Sequence, residues 1–208
     1  MQKYRVKEIF GPTIQGEGSQ SGTVVNFLRF AGCNRWNGIS SYKEKSICSF
    51  CDTDFVGGVK LTKEEILIKL SLLGNVKTVV ISGGEPTIQL DETLCQYLTD
   101  NGYILHLETN GSNNIDHISK YFSHITVSPK QSFTETKISF ANDLKILWPA
   151  ISPEITPDHF KDFKSNNRFL QPVYGDVYDP NLKQTIDKLI SIETWRLSLQ
   201  THKIIGVQ

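Results

Sequence analysis

The 208-residue sequence has no net charge, its 22 lysines and arginines balancing 22 aspartates and glutamates. Without a basic excess it lacks a broad electrostatic grip on DNA or RNA, so no nucleic-acid partner is expected. No apolar run is long enough to span a bilayer, and the first ten residues, MQKYRVKEIF, carry charges where a secretory signal needs an apolar core. Internal repeats and low-complexity tracts are also missing. These absences point to a soluble, cytoplasmic chain with no membrane partner. Residues 1–208 are most economically one domain, long enough to bury its own core. Cysteine is scarce, four in all, and in a reducing compartment clustered cysteines bind metal or react more often than they form disulfides.

Three of the four cysteines fall within GCNRWNGISSYKEKSICSFCDTDF, residues 32–55. Fourteen residues separate Cys33 from Cys48, and only two separate Cys48 from Cys51. Soft thiolates suit zinc or iron–sulfur centres. A structural zinc site wants four closed ligands. The fourth cysteine, Cys95, falls in an amphipathic helical pattern beside Leu94 and Leu98, where an apolar role is expected. His106 and His117 could complete a zinc set, although neither spacing suggests it. Three thiolates on a four-iron cluster would instead leave one iron free for a small molecule, where ordinary electron-transfer clusters are closed by protein.

Short β-rich runs alternate with helical patterns. Strands are expected at 23–30, 77–82, 103–108, 124–128, 143–148, 168–173 and 194–200. Helices are expected at 62–73, behind a Thr cap, at 91–102, behind an Asp cap, around 115–121, after Pro157, and at 179–192 with Pro180 in its first turn. Such alternation implies a parallel sheet under helices. Six βα units are too few for a closed eight-stranded barrel, so the expected fold is α/β, a partial, open (β/α)6-like barrel. Its open edges make a homodimer plausible. Polar and glycine residues recur at the strand ends: Cys33, GGEP (83–86), ETNG (108–111), SPK (128–130) and Gln171. Ligands of such folds gather at that rim.

The cysteine loop, with GCN, CDT and SGGEP (82–86), resembles the radical S-adenosylmethionine superfamily, whose common CxxxCxxC spacing is here longer by eleven residues. TIQGEG (13–18), FLRFAGCN (27–34), CDTDF (51–55), SPK, LQP and RLSLQTHK (196–203) narrow the resemblance to the 7-carboxy-7-deazaguanine synthase family, one branch of which has such a loop. It extends from residue 8 to the C-terminus. The resemblance implies a radical S-adenosylmethionine core domain and a carbon–nitrogen lyase. It would contract 6-carboxy-5,6,7,8-tetrahydropterin to 7-carboxy-7-deazaguanine with loss of ammonia, on the route to queuosine. It also implies a [4Fe-4S] cluster on Cys33, Cys48 and Cys51, bound S-adenosylmethionine, and Mg²⁺ held through Thr53, whose alternative role is a bond to nearby backbone.

By the same resemblance, Phe50, Gly84, Glu85, Glu108, Ser128, Pro129, Lys130 and Gln171 would contact S-adenosylmethionine, Phe50 being equally readable as a packing residue. Ile14, Gln15, Gly16, Glu17, Arg29, Ser82, His202 and the terminal Gln208 would form the pterin site. Arg29 offers a planar fork to a carboxylate; His202 reads equally as a solvated tail residue; Lys145, like Glu108, also fits a simple strand-end charge pair. Lys43 and Lys45, near Cys48, suggest a basic edge for an acidic flavodoxin-type reductant, or a merely solvated loop. A protein-acting radical enzyme and a zinc-stabilised binding module are the rival readings. The former would have no use for Arg29, TIQGEG or QTHK, and a colourless anaerobic preparation with zinc and no sulfide would select the latter.

Overall fold

A computed structural model describes residues 2–175 and 178–208. Nine strands form one sheet: β1 (Tyr4–Ile14), β2 (Val24–Phe30), β3 (Val59–Leu61), β4 (Thr78–Gly83), β5 (Ile104–Thr109), β6 (Phe122–Val127), β7 (Phe140–Trp148), β8 (Lys164–Pro172) and β9 (Arg196–Leu197). Their spatial order is β3-β1-β2-β4-β5-β6-β7-β8-β9. From β2 onward each neighbouring pair is parallel, while β1 pairs antiparallel with β2 and β3. The sheet stays open, with β3 and β9 as its edges.

The central strands read as continuous β-branched runs because both faces are covered. Val79, Val80 and Ile81 of β4 have no exposed surface. One face packs against helices α1 (Lys63–Ser71), α2 (Glu92–Asp100) and α3 (Tyr178–Ile190), whose buried Ile66, Leu70, Leu94 and Leu98 join the core. Helix α1 starts with a reciprocal capping box. Glu65 N donates to Thr62 Oγ1 at 3.3 Å and Thr62 N donates to Glu65 Oε2 at 2.7 Å.

Several expected elements differ. The stretch at 115–121 makes turns and a 3-10 piece, Ser119–Tyr121, and the segment after Pro157 makes turns instead of a helix. Phe160 and Phe163 mimic a helical spacing there, yet both reach the core from turns. The last strand shrinks to two residues, and a four-residue helix, α4 (Thr201–Ile204), follows it. Strands β1 and β3 were not expected. In β1, the Tyr4 hydroxyl donates to Asp91 Oδ1 at 2.8 Å, while Asp91 also caps α2 by accepting from Leu94 N at 2.9 Å.

Two segments meet across the open side. The loop between β1 and β2 and the chain after β9 are joined by Thr201 N donating to Gly16 O at 3.0 Å. Thr13 Oγ1 of β1 donates to Gln208 O at 2.7 Å.

Because one carboxylate serves both strand and helix, Asp91→Ala should lower stability by about 1–2 kcal/mol and Tyr4→Phe by about 1 kcal/mol. In urea melts the double variant should lose less than the sum. Strict additivity would mean that β1 and the α2 cap are not coupled.

Candidate active site

The carboxyl ends of β2, β4, β5, β6, β7 and β8 open onto a cavity of about 540 Å³. Cys33 follows β2, Gly84 follows β4, Glu108 ends β5, Ser128 and Lys130 follow β6, Lys145 lies on β7 and Gln171 on β8, and all line it. Parallel strands deliver their ends to one rim, which is why residues far apart in sequence converge.

Cys33, Cys48 and Cys51 line the same cavity, while Cys95 is buried in α2. Among the described residues no three His, Cys, Asp or Glu side chains are gathered closely enough to hold one ion. The thiols therefore share a cavity wall without converging on a point. Burial raises the Cys33 thiol, and raises Cys48 to about 11 against the opposing pull of Lys130. Arg35 N donates to Cys33 Sγ at 3.4 Å. Arg35 Nε and Trp36 Nε1, in the same wall, are buried donors without a partner among the described residues.

The loop carrying Cys33 is pinned from two sides. Asn34 Oδ1 accepts from Asn110 Nδ2 at 3.0 Å, and Asn34 Nδ2 donates to Ser112 Oγ at 2.8 Å. Gly84 lies against Gly32 so closely that a Cβ would fall 2.2 Å from Gly32 O. Glycine is needed here for approach.

A buried lysine and two half-buried carboxyl groups line the cavity together. The Lys145 ammonium pairs with Glu17 Oε2 and lies 3.4 Å from Glu108 Oε2. Burial alone would lower Lys145, but Glu108 and Glu17 outweigh it and hold the amine above its ordinary value. For Glu17, burial is outweighed by Lys145 and the carboxyl is lowered. For Glu108, burial wins and the carboxyl is raised. Gln15 Nε2 donates to Glu108 Oε1 at 3.3 Å, and Gln200 Nε2 to Glu17 Oε1 at 2.8 Å. Lys130 has no carboxylate partner among the described residues. Its Nζ donates to Ser128 O and Oγ at 2.8 and 2.7 Å, and burial lowers it to about 8.

Arg29 lines the cavity beside Phe27, whose ring stacks on Phe10 at 5.0 Å. Arg29 Nε donates to Glu8 Oε1 at 2.8 Å, leaving the terminal edge of the fork without a protein partner among the described residues. Ile14, Phe50, Thr53, Ser82, His202 and Gln208 also line the wall. Burial lowers His202, which is not a freely solvated tail residue.

Three of the expected contacts lie elsewhere. Pro129 is outside the wall. Gly16 is behind it, where a Cβ would fall 2.0 Å from His202 Nδ1, so its part is to admit the tail. Glu85 is fully buried and accepts from Thr87 N, Thr109 Oγ1 and Asn110 N at 3.1, 2.7 and 2.7 Å. It binds turns to one another and does not face the cavity. Trp36, Phe55, Asn110, Tyr174, Gln200 and Lys203 line the wall without having been anticipated. Lys203 joins tail to cysteine loop, pairing with Asp52 and lying 3.6 Å over the Tyr174 ring. Only proximity in the fold reveals that group.

No family model matches the chain. The 7-carboxy-7-deazaguanine synthase of Caulobacter vibrioides is 36% identical over 214 residues, covering 98% of this chain and 99% of its own length. That of Burkholderia multivorans is 37% identical over 214 residues, with the same coverage. This chain belongs to the 7-carboxy-7-deazaguanine synthase family. The crystal structure of QueE from Escherichia coli is similar in fold, with a TM-score of 0.70, 23% identity and coverage of 95% of this chain and 93% of that one. It supports the open, mostly parallel α/β architecture. The 7-carboxy-7-deazaguanine synthase family is one of enzymes, and so is this member.

Lys145→Met would leave two half-buried carboxyl groups without their cation, costing about 3 kcal/mol at pH 7. Glu17 is depressed in the folded protein, so the stability it contributes is present above its unfolded value and lost as pH falls through the folded one. In the variant both carboxyls rise and protonate, so its deficit in urea melts should shrink toward pH 4. A deficit independent of pH would contradict this charge assignment.

Proposed function

We propose that this chain is a radical S-adenosylmethionine lyase that contracts 6-carboxy-5,6,7,8-tetrahydropterin to 7-carboxy-7-deazaguanine with loss of ammonia, supplying queuosine synthesis. The observation that carries the reading is the cavity lining: three cysteines and no fourth, together with Arg29 and the Glu17–Lys145–Glu108 group. The donor set fits a [4Fe-4S] cluster. Its iron atoms take separate thiolates, so ligands spread along a wall suit it better than they suit one zinc ion. The unpartnered Arg35 and Trp36 donors beside Cys33 suit the sulfur atoms and polar edges of such a group.

Cys33, Cys48 and Cys51 would hold the cluster, with S-adenosylmethionine beside it along Phe50, Gly84, Ser128, Lys130 and Gln171. When bound, this pair supplies a 5′-deoxyadenosyl radical able to abstract hydrogen from the substrate. Lys130, buried without a carboxylate, suits the cofactor's carboxylate. The free edge of Arg29 suits the pterin carboxylate, and Gln15 can present its amide to the ring edge. Thr53 offers a hydroxyl to Mg²⁺, an ion that takes oxygen ligands and keeps several waters. Glu108, raised by burial, is suited to carry a proton to the departing nitrogen, with Lys145 holding its other oxygen in place. The tail from His202 to Gln208 would cover the ring and exclude water.

After anaerobic reconstitution, the enzyme with S-adenosylmethionine, Mg²⁺, reductant and the carboxytetrahydropterin should release equal amounts of ammonia and deazapurine. Cys33→Ala, Cys48→Ala and Cys51→Ala should each lose iron and product while retaining the fold. Release of neither product from a wild-type enzyme with a reducible cluster would remove the assignment.

A flavodoxin-type donor would meet the exposed Ser41–Ile47 edge, where Tyr42 and Ile47 stand beside Lys43 and Lys45. Changing both lysines to glutamate should slow reduction by flavodoxin and spare turnover with a small chemical reductant. Equal loss with both donors would reject this docking edge.

A further inference from the structure

We propose that Asp143 is a positioning residue, which from outside the cavity holds the 15–20 loop where Gln15 and Glu17 meet substrate. Asp143 has no exposed surface and does not line the cavity. It precedes Lys145 by two residues on β7, so both point to the same face of the sheet. Its carboxylate accepts from Ser19 N at 2.7 Å and from Ser19 Oγ at 2.8 Å. Asn167 Nδ2 donates to it at 2.9 Å, and His124 Nε2 lies 3.3 Å away. Gly18 has a φ of +63°, and a Cβ there would fall 2.6 Å from Asp143 Oδ2. Glycine therefore lets the loop backbone settle directly on the carboxylate.

The backbone closes at the base of this loop, Gln15 N donating to Thr23 O at 2.9 Å and Gly22 N to Gln15 O at 2.8 Å, but between them its regular structure is one three-residue 3-10 turn, Gly18–Gln20. Its other links include the Glu17–Lys145 pair, Gly16 O to Thr201 N, Gly18 N donating to Ser198 Oγ at 2.9 Å, Gln200 Nε2 donating to Glu17 Oε1 and Gln15 Nε2 donating to Glu108 Oε1. The first faces the cavity, where a bound substrate would rearrange it, and the second rests on the tail. Asp143 belongs to the sheet and lies outside the cavity lining. Two charge-assisted bonds to one loop residue make it the firmest of these ties. Strand β7 thus sets the loop twice, with Asp143 fixing the backbone and Lys145 aiming the Glu17 side chain.

The effect on catalysis rests on the proposed function; the anchoring itself does not. The test uses reconstituted holoenzyme carrying Asp143→Asn or Ser19→Ala. Amide hydrogen exchange is followed over residues 15–20, and steady-state kinetics are measured for the pterin and for S-adenosylmethionine. Asp143→Asn should speed loop exchange and raise KM for the pterin, each about tenfold, as expected for losing a hydrogen bond to a charged group. The S-adenosylmethionine KM should stay within about twofold, since the loop touches neither the cysteines nor the Ser128–Lys130 wall. Ser19→Ala should move the same quantities less, and it decides the question if Asp143→Asn does not fold. Unchanged exchange over 15–20, or equal losses for both substrates, would overturn the proposal. Faster loop exchange in a variant whose wild type never turns over the pterin would instead count against the proposed function alone.

Discussion

A carboxylate with no contact to solvent holds the rim of this fold together. Glu85 takes hydrogen bonds from its own turn, from Thr109 at the end of β5 and from Asn110 just beyond it, while its backbone N–H donates to Gly32 O after β2 at 2.9 Å. Three strand ends are thereby fixed to one another. An unpaired buried carboxylate would be costly, so the arrangement is kept only while all these donors stay in place. Gly84 then brings the Gly32–Cys33 backbone within reach, and Asn34 fastens the cysteine loop to the turn beyond β5. The position of Cys33 follows from this chain of contacts.

The rest of the cavity is organised by charges removed from water. Two carboxylates share one ammonium at Lys145, which lowers one carboxyl and leaves the other raised. A site built this way holds groups with different proton affinities within one small volume, a common arrangement for acid–base work. Lys130 and the open edge of Arg29 give the opposite charge without a carboxylate partner among the described residues, and so suit anionic ligands. The C-terminal segment completes the enclosure through Lys203 and Gln208, tying the cysteine loop and β1 to the same tail.

The parallel strands were legible because each is a compact β-branched run followed by glycine or polar residues, and the rim followed from them. Strand β1 was hidden. Arg5, Lys7 and Glu8 look like a solvated start until Asp54 and Arg29 are seen as partners of Lys7 and Glu8. The segment after Pro157 misled in the other direction, since Phe160 and Phe163 have helical spacing but pack from turns. The family resemblance carried by the motifs singled out about half of the cavity wall, yet it could not separate contact from support. Glu85 and Gly16 proved to brace the site, and the wall positions of Trp36 and Lys203 depend on folding that no local pattern encodes.

The proposed function requires the polypeptide to hold three of the four irons of a cluster through Cys33, Cys48 and Cys51 and to leave the fourth open. Mössbauer spectroscopy of the ⁵⁷Fe-reconstituted protein, with and without S-adenosylmethionine, tests it most directly. The account predicts one iron site distinct from the other three, whose signal alone changes when S-adenosylmethionine is added. Four irons that all ignore S-adenosylmethionine, or no iron–sulfide centre in protein whose three cysteines are intact, would contradict it.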